Sequence, residues 1–235
     1  MTSIRDSLWE YRRRFAATIA QQRLNNKNFT IVSNNCWGAE IYRELGLQYQ
    51  TPFVGIAIFA PCYIKLVKDL PRYMGETLKF TNISRYSSSL MDDSKLPSHS
   101  YPIGILGEDI EIHFYHYKNF NDAYEKWTRR CDRVDWNNNE NLFFKLCDHD
   151  YCNIDIIEEF NDLAYRNKVF FSSRNLPHLK STVWIKECEL LDHVMDGHSL
   201  YFKSKKYFDV IQWLNGETST EPNWRLETLR KLKLT

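Results

Sequence analysis

Three short stretches concentrate the residues able to do chemistry: Ser33-Asn34-Asn35-Cys36, Asp148-His149-Asp150 and Ser172-Ser173-Arg174-Asn175. A fourth, Ile110–Tyr117, carries His113 and His116. Cys36 stands where a β-branched run stops and a helical pattern begins. Unpaired N–H groups and a partial positive charge at a helix N-terminus lower a thiol pKa and stabilise an oxyanion, so a cysteine nucleophile suits this position. The plainer alternative is a thiol packed in the first turn, with Asn34 or Asn35 as the cap. Gly38 lets a backbone or substrate approach closely. His113 and His116, three apart on an expected strand, point to opposite faces and cannot share a metal without a bulge. Either is a candidate base, although His116 on an apolar face also reads as a satisfied core histidine.

Asp148 and Asp150 have the spacing to hold Mg²⁺ or Mn²⁺ through oxygen ligands and to bridge to a sugar-nucleotide diphosphate. Against that stands a simple capping role, with Asp150 or Asn153 opening the next helix. Arg174 at the following strand end is placed to grip a phosphate or carboxylate bidentately. No P-loop, dinucleotide fingerprint, serine-hydrolase elbow or H-E-x-x-H motif occurs. The six cysteines contain no C-x-x-C pair, so a zinc ribbon and a redox dithiol lose support and free thiols are expected. A net charge of +1 supplies no global field for nucleic acid, and no nucleic-acid partner is expected. No stretch reaches the roughly 20 apolar residues of a membrane helix, and the N-terminus lacks a signal-peptide core, so a cytoplasmic location is expected.

The elements that must position these residues alternate. A helix is expected over 3–24, with Arg5, Arg12, Arg13 and Arg23 on its polar side. Such a face is usually solvated; the sharper reading is a basic arm that touches the inner face of a membrane. Strands are expected at Phe29–Ser33, Phe53–Phe59, Ile110–Tyr117, Asn141–Leu146, Lys168–Phe171 and Thr182–Ile185. Helical patterns lie between them at 36–46, from Pro61 to Leu70, from Asn119 or Asn121 to about Arg130, at about 153–163, and at 203–214. The polar stretch 84–100 reads as a surface loop. The alternation predicts an α/β layered, Rossmann-like fold with a largely parallel sheet flanked by helices. It divides into an N-terminal helical arm (1–27), one α/β domain (28–215) and a polar tail (216–235). In such sheets ligands bind outside the carboxyl ends of the strands, which would gather the polar clusters on one rim.

The run Phe29-Thr30-Ile31-Val32-Ser33-Asn34-Asn35-Cys36-Trp37-Gly38, followed by Leu45-Gly46-Leu47 and Thr51-Pro52-Phe53, resembles the start of bacterial exopolysaccharide-biosynthesis proteins of the DUF1919 family. Tyr101–Gly107, Ile112-His113-Phe114, His116-Tyr117 and Tyr124–Arg130 are similar to its middle; Asn141–Phe144, Asp148-x-Asp150 and Lys168–Phe171 are similar to its end. The likeness spans about 29–175 and departs at Ala39, where the pattern implies a second glycine. The resemblance implies a role in capsule or exopolysaccharide assembly. On that footing the first expectation is a transferase passing an acyl group, from a donor such as acetyl-CoA, to a sugar hydroxyl. Cys36 would be the nucleophile or line the oxyanion site, His113 or His116 the base, Asp148 its orienter, and Asn35 an oxyanion donor. Asn34, Trp37, Gly38, Asp150 and Arg174 would face a carbohydrate, sugar-nucleotide or lipid-linked sugar substrate. The alternatives are a glycosyltransferase using a divalent metal at Asp148 and Asp150, and a non-catalytic partner of the capsule machinery docked through its first helix.

Overall fold

The computed structural model describes residues 15–86 and 101–217. Residues 15–23 form helix α1, so most of the expected first helix and its arginines lie outside the described residues, as does most of the 84–100 loop. The β-branched run becomes β1 (Thr30–Ser33), and α2 (Trp37–Leu45) follows with Gly46 closing it in a left-handed conformation. Next come α3 (Ala60–Lys68) and α4 (Leu70–Met74), each with Pro in its first turn. A small antiparallel sheet of β2 (Lys79–Thr81), β3 (Ile103–Leu106) and β4 (Ile110–His113) leads into α5 (Phe120–Cys131), capped by Asn119. The chain then re-enters the main sheet as β5 (Leu142–Cys147), α6 (Ile154–Asp162), β6 (Lys168–Ser172) and β7 (Thr182–Trp184). Helices α7 (Gly197–Ser204) and α8 (Val210–Leu214) finish it, two pieces where one pattern over 203–214 is expected.

The main sheet is parallel, in the order β1-β5-β6-β7. Its central strands are apolar on both faces because both faces are covered. Ile31, Phe143, Val169 and Phe171 pack with α2, α7 and α8; Val32, Phe144, Leu146 and Phe170 pack with α3, α6 and the small sheet. This is the layered α/β architecture.

Two expectations are corrected. Phe53–Phe59 is not a strand: Gly55 takes φ +70°, and only Ala57 makes a bridge, to His113. A left-handed residue breaks the extended run. The strand expected at 110–117 stops at His113 and belongs to the antiparallel sheet, so His116 lies in the turn beyond it.

Candidate functional site

Ser33, the last residue of β1, is the register partner of Lys145 in β5. A cavity of about 970 Å³ opens beside them. Its walls come from the first turn of α2 (Asn35, Cys36, Glu40), the irregular segment Val54–Ala57, Tyr115 and His116 after β4, His149–Tyr151 after β5, and His193 with Asp196–His198 at α7. The volume sits near the top of the roughly 300–1,000 Å³ span of small-molecule sites.

Cys36 occupies the cap position of α2, and its Sγ lies 4.0 Å from the carbonyl oxygen of Ile56. Asn35 provides the cap that Cys36 does not: its Oδ1 accepts the Trp37 N–H at 3.2 Å. Burial pushes the Cys36 thiol up, Glu40 adds to this, and Lys145 opposes it. The thiol therefore needs a base at the moment it reacts. His116 lines the same cavity and packs against Gly55, where an added Cβ would meet the His116 Cβ at 3.1 Å and its ring at 3.6 Å.

His149 forms a second centre. Its Nδ1 is 2.6 Å from Asp150 Oδ1, and its ring meets His193 edge-on at 4.3 Å. Burial pulls the His149 imidazolium down, but the Asp150 carboxylate outweighs it, so the pKa is raised. Asp150 and Tyr151 both hold left-handed φ (56° and 63°), a costly conformation for non-glycine residues that is often found at functional sites. At the other wall His198 Nδ1 lies 3.1 Å from Glu40 Oε1, and Arg43 grips the same carboxylate at 2.8 Å. An imidazole oriented by a carboxylate is the usual construction of a general base. The cavity has two.

The DUF1919 family model, described as a domain of unknown function, matches residues 9–215. The chain belongs to the DUF1919 family. An uncharacterized protein of Haemophilus influenzae is 30% identical over 216 residues, 90% of this chain and 96% of that relative.

Of the residues singled out in this DUF1919 chain, Asn35, Cys36, His116 and Asp150 reach the cavity. The others do not. His113 is fully buried, with Nε2 2.9 Å from Glu111 Oε1 and Nδ1 3.3 Å from the Tyr101 hydroxyl. Burial works against the Glu111 carboxylate, but His113, the Arg85 N–H and Ser84 hold it below its ordinary pKa. Asp148 is buried away from the cavity, with both of its oxygens accepting hydrogen bonds from the protein. Its Oδ2 accepts from the Ser172 hydroxyl (2.9 Å), the Ser173 N–H (2.6 Å) and the Ser173 hydroxyl (2.9 Å), and its Oδ1 from the Val194 N–H (2.8 Å). Trp37 is core, donating to Ser204 at 3.0 Å and packed against Phe171 and Trp213. Gly38 serves helix-to-strand packing, since a Cβ there would sit 2.8 Å from Ile31 Cγ2. Asn34 is buried beneath the site, and Arg174 is exposed outside the cavity. The Asn35 amide donates to Cys147 Sγ (3.5 Å).

Sequence reasoning passed over His149 between its two aspartates, and missed His193, His198, Glu40 and Lys145. Lys145 carried a signal, as the one charge in the apolar strand Leu142-Phe143-Phe144-Lys145-Leu146-Cys147. Among the described residues no group of three or more His, Cys, Asp or Glu is arranged to hold a metal ion. No described helix is long and apolar enough to cross a membrane.

Proposed function

We propose that the protein is an acyltransferase of surface-polysaccharide assembly, working on a carbohydrate or lipid-linked sugar at the cytoplasmic face of the membrane. The observation that carries this reading is the cavity in which Cys36, His116 and the His149–Asp150 pair converge. The donor is an acyl thioester of the acetyl-CoA class. Cys36 Sγ attacks its carbonyl carbon while His116 takes the thiol proton. The donor carbon–sulfur bond breaks, the proton passes to the leaving thiolate, and the acyl group rests on Cys36. A sugar hydroxyl then gives its proton to His149, held in place by Asp150, and attacks that acyl carbon. The ester forms, and Cys36 regains its proton. Aromatic and apolar walls (Val54, Ile56, Phe59, Tyr115, Tyr151) favour both the acyl chain and a stacked sugar ring.

Mass spectrometry of the polysaccharide from a deletion strain tests this, with wild type, Cys36→Ser or His149→Ala supplied in trans. Loss of an acyl substituent from an otherwise intact polymer is the expected result for both variants. Loss of a sugar would point instead to glycosyl transfer, and an unchanged polymer would overturn the thiol mechanism.

A further inference from the structure

Lys145 is the least expected residue near the cavity. It sits in the middle of β5 with its side chain fully buried, on the face shared with Phe143 and Cys147. Three acceptors surround Nζ: Asn35 Oδ1 at 2.8 Å, Asn34 Oδ1 at 3.0 Å and Cys147 Sγ at 3.3 Å. Burial pulls the Lys145 pKa down and the Cys147 sulfur opposes this, and an ammonium, with three N–H donors, can satisfy all three acceptors. None of the three acceptors is a carboxylate. A buried cation without a counter-ion is destabilising, and it favours negative charge wherever charge can develop nearby. The Cys147 thiol at 3.3 Å is the nearest such group, itself fully buried away from the cavity, and Cys36 is reached through Asn35, whose Oδ1 accepts from both Lys145 Nζ and the Trp37 N–H beside Cys36.

We propose that Lys145 is the resident cation of the site, a positioning residue that holds the first turn of α2 through Asn35 and favours the anionic form of Cys36. The inference takes from the proposed function only that Cys36 is the reacting thiol. The charged and titratable neighbours that bear on that thiol, besides Lys145, are Glu40 on its own helix, Asp196 at α7, His116 across Gly55, Tyr115 and Tyr117. Glu40 and Asp196 disfavour the thiolate, so Lys145 is the cation that offsets them.

Alkylation of Cys36 by iodoacetamide reads this without any substrate, followed by peptide mass spectrometry as a function of pH on the intact chain. Lys145→Met should move the pH profile of Cys36 upward by about one unit, an about tenfold slower reaction near neutral pH. Asn34→Asp is the shape-conserving companion. It places a carboxylate where Oδ1 now lies 3.0 Å from Nζ, and the replaced Asn34 Nδ2 is buried with no hydrogen-bond partner to lose. It should keep the fold, neutralise the cation and slow Cys36 in the same direction. An unchanged profile in either folded variant would overturn the proposal. A shifted profile together with a polymer unchanged from wild type in the Cys36→Ser strain would keep this role for Lys145 while removing the transferase reading.

Discussion

At the scale of single residues, the site is a set of proton-holding groups whose neighbours set their charge. His149 is the clearest case, because its partner is adjacent in the chain and 2.6 Å away. Asp150→Asn should lower the His149 titration midpoint measured by NMR, and asparagine tolerates the φ of 56° at this position. The sign of the accompanying stability change follows from the raised pKa. The pair stabilises the fold fully below the unfolded histidine pKa of about 6.5, and this is lost as pH rises through the folded value. The gap between wild type and variant should therefore be widest near about pH 5–6 and narrow above the folded midpoint. A midpoint unmoved by the substitution would show that Asp150 does not hold His149.

At the scale of elements, the cavity depends on α2 and α7 meeting at their N-termini. Gly197 makes this possible: a Cβ there would lie 2.7 Å from Asn35 Oδ1 and 2.8 Å from the backbone nitrogens of both Cys36 and Trp37. Backbone atoms cannot step aside as a side chain can. Gly197→Ala should thus destabilise the protein by roughly 1–3 kcal/mol in urea unfolding, despite alanine's better helix propensity. A stabilised variant would mean that the two helices do not touch there. Elements with their own local signals could be read in advance. Asn119 and Asn153 cap α5 and α6, Gly46 closes α2, and the apolar runs became β1, β5 and β6. Segments shaped by tertiary contact could not. Val54–Ala57 has strand composition but turns at Gly55, and His193 and His198 lie around an irregular stretch and a helix start with no periodicity to flag them. Cys36 and His116 could therefore be named in advance as candidates that line the cavity, while His193 and His198 could not.

At the scale of the whole molecule, Asp148 ties the sheet to the segment that precedes α7. Four donors converge on its buried carboxylate, from Ser172, Ser173 and Val194. Asp148→Ala should lower stability by about 2–4 kcal/mol with the denaturant slope unchanged, the scale expected when charge-assisted hydrogen bonds are lost and their donors stranded. A variant as stable as wild type would show that this carboxylate has some other task. The sheet order carries a wider consequence. β1 and β5 are parallel neighbours, yet residues 34–141 separate them, and the cavity walls are drawn from both sides of that long excursion. Bringing its ends together is entropically slow, so the binding chamber belongs to the final stage of folding. Any molecule that settles inside then bridges remote parts of the chain and acts as a removable clasp, making occupancy and resistance to unfolding two readings of one equilibrium.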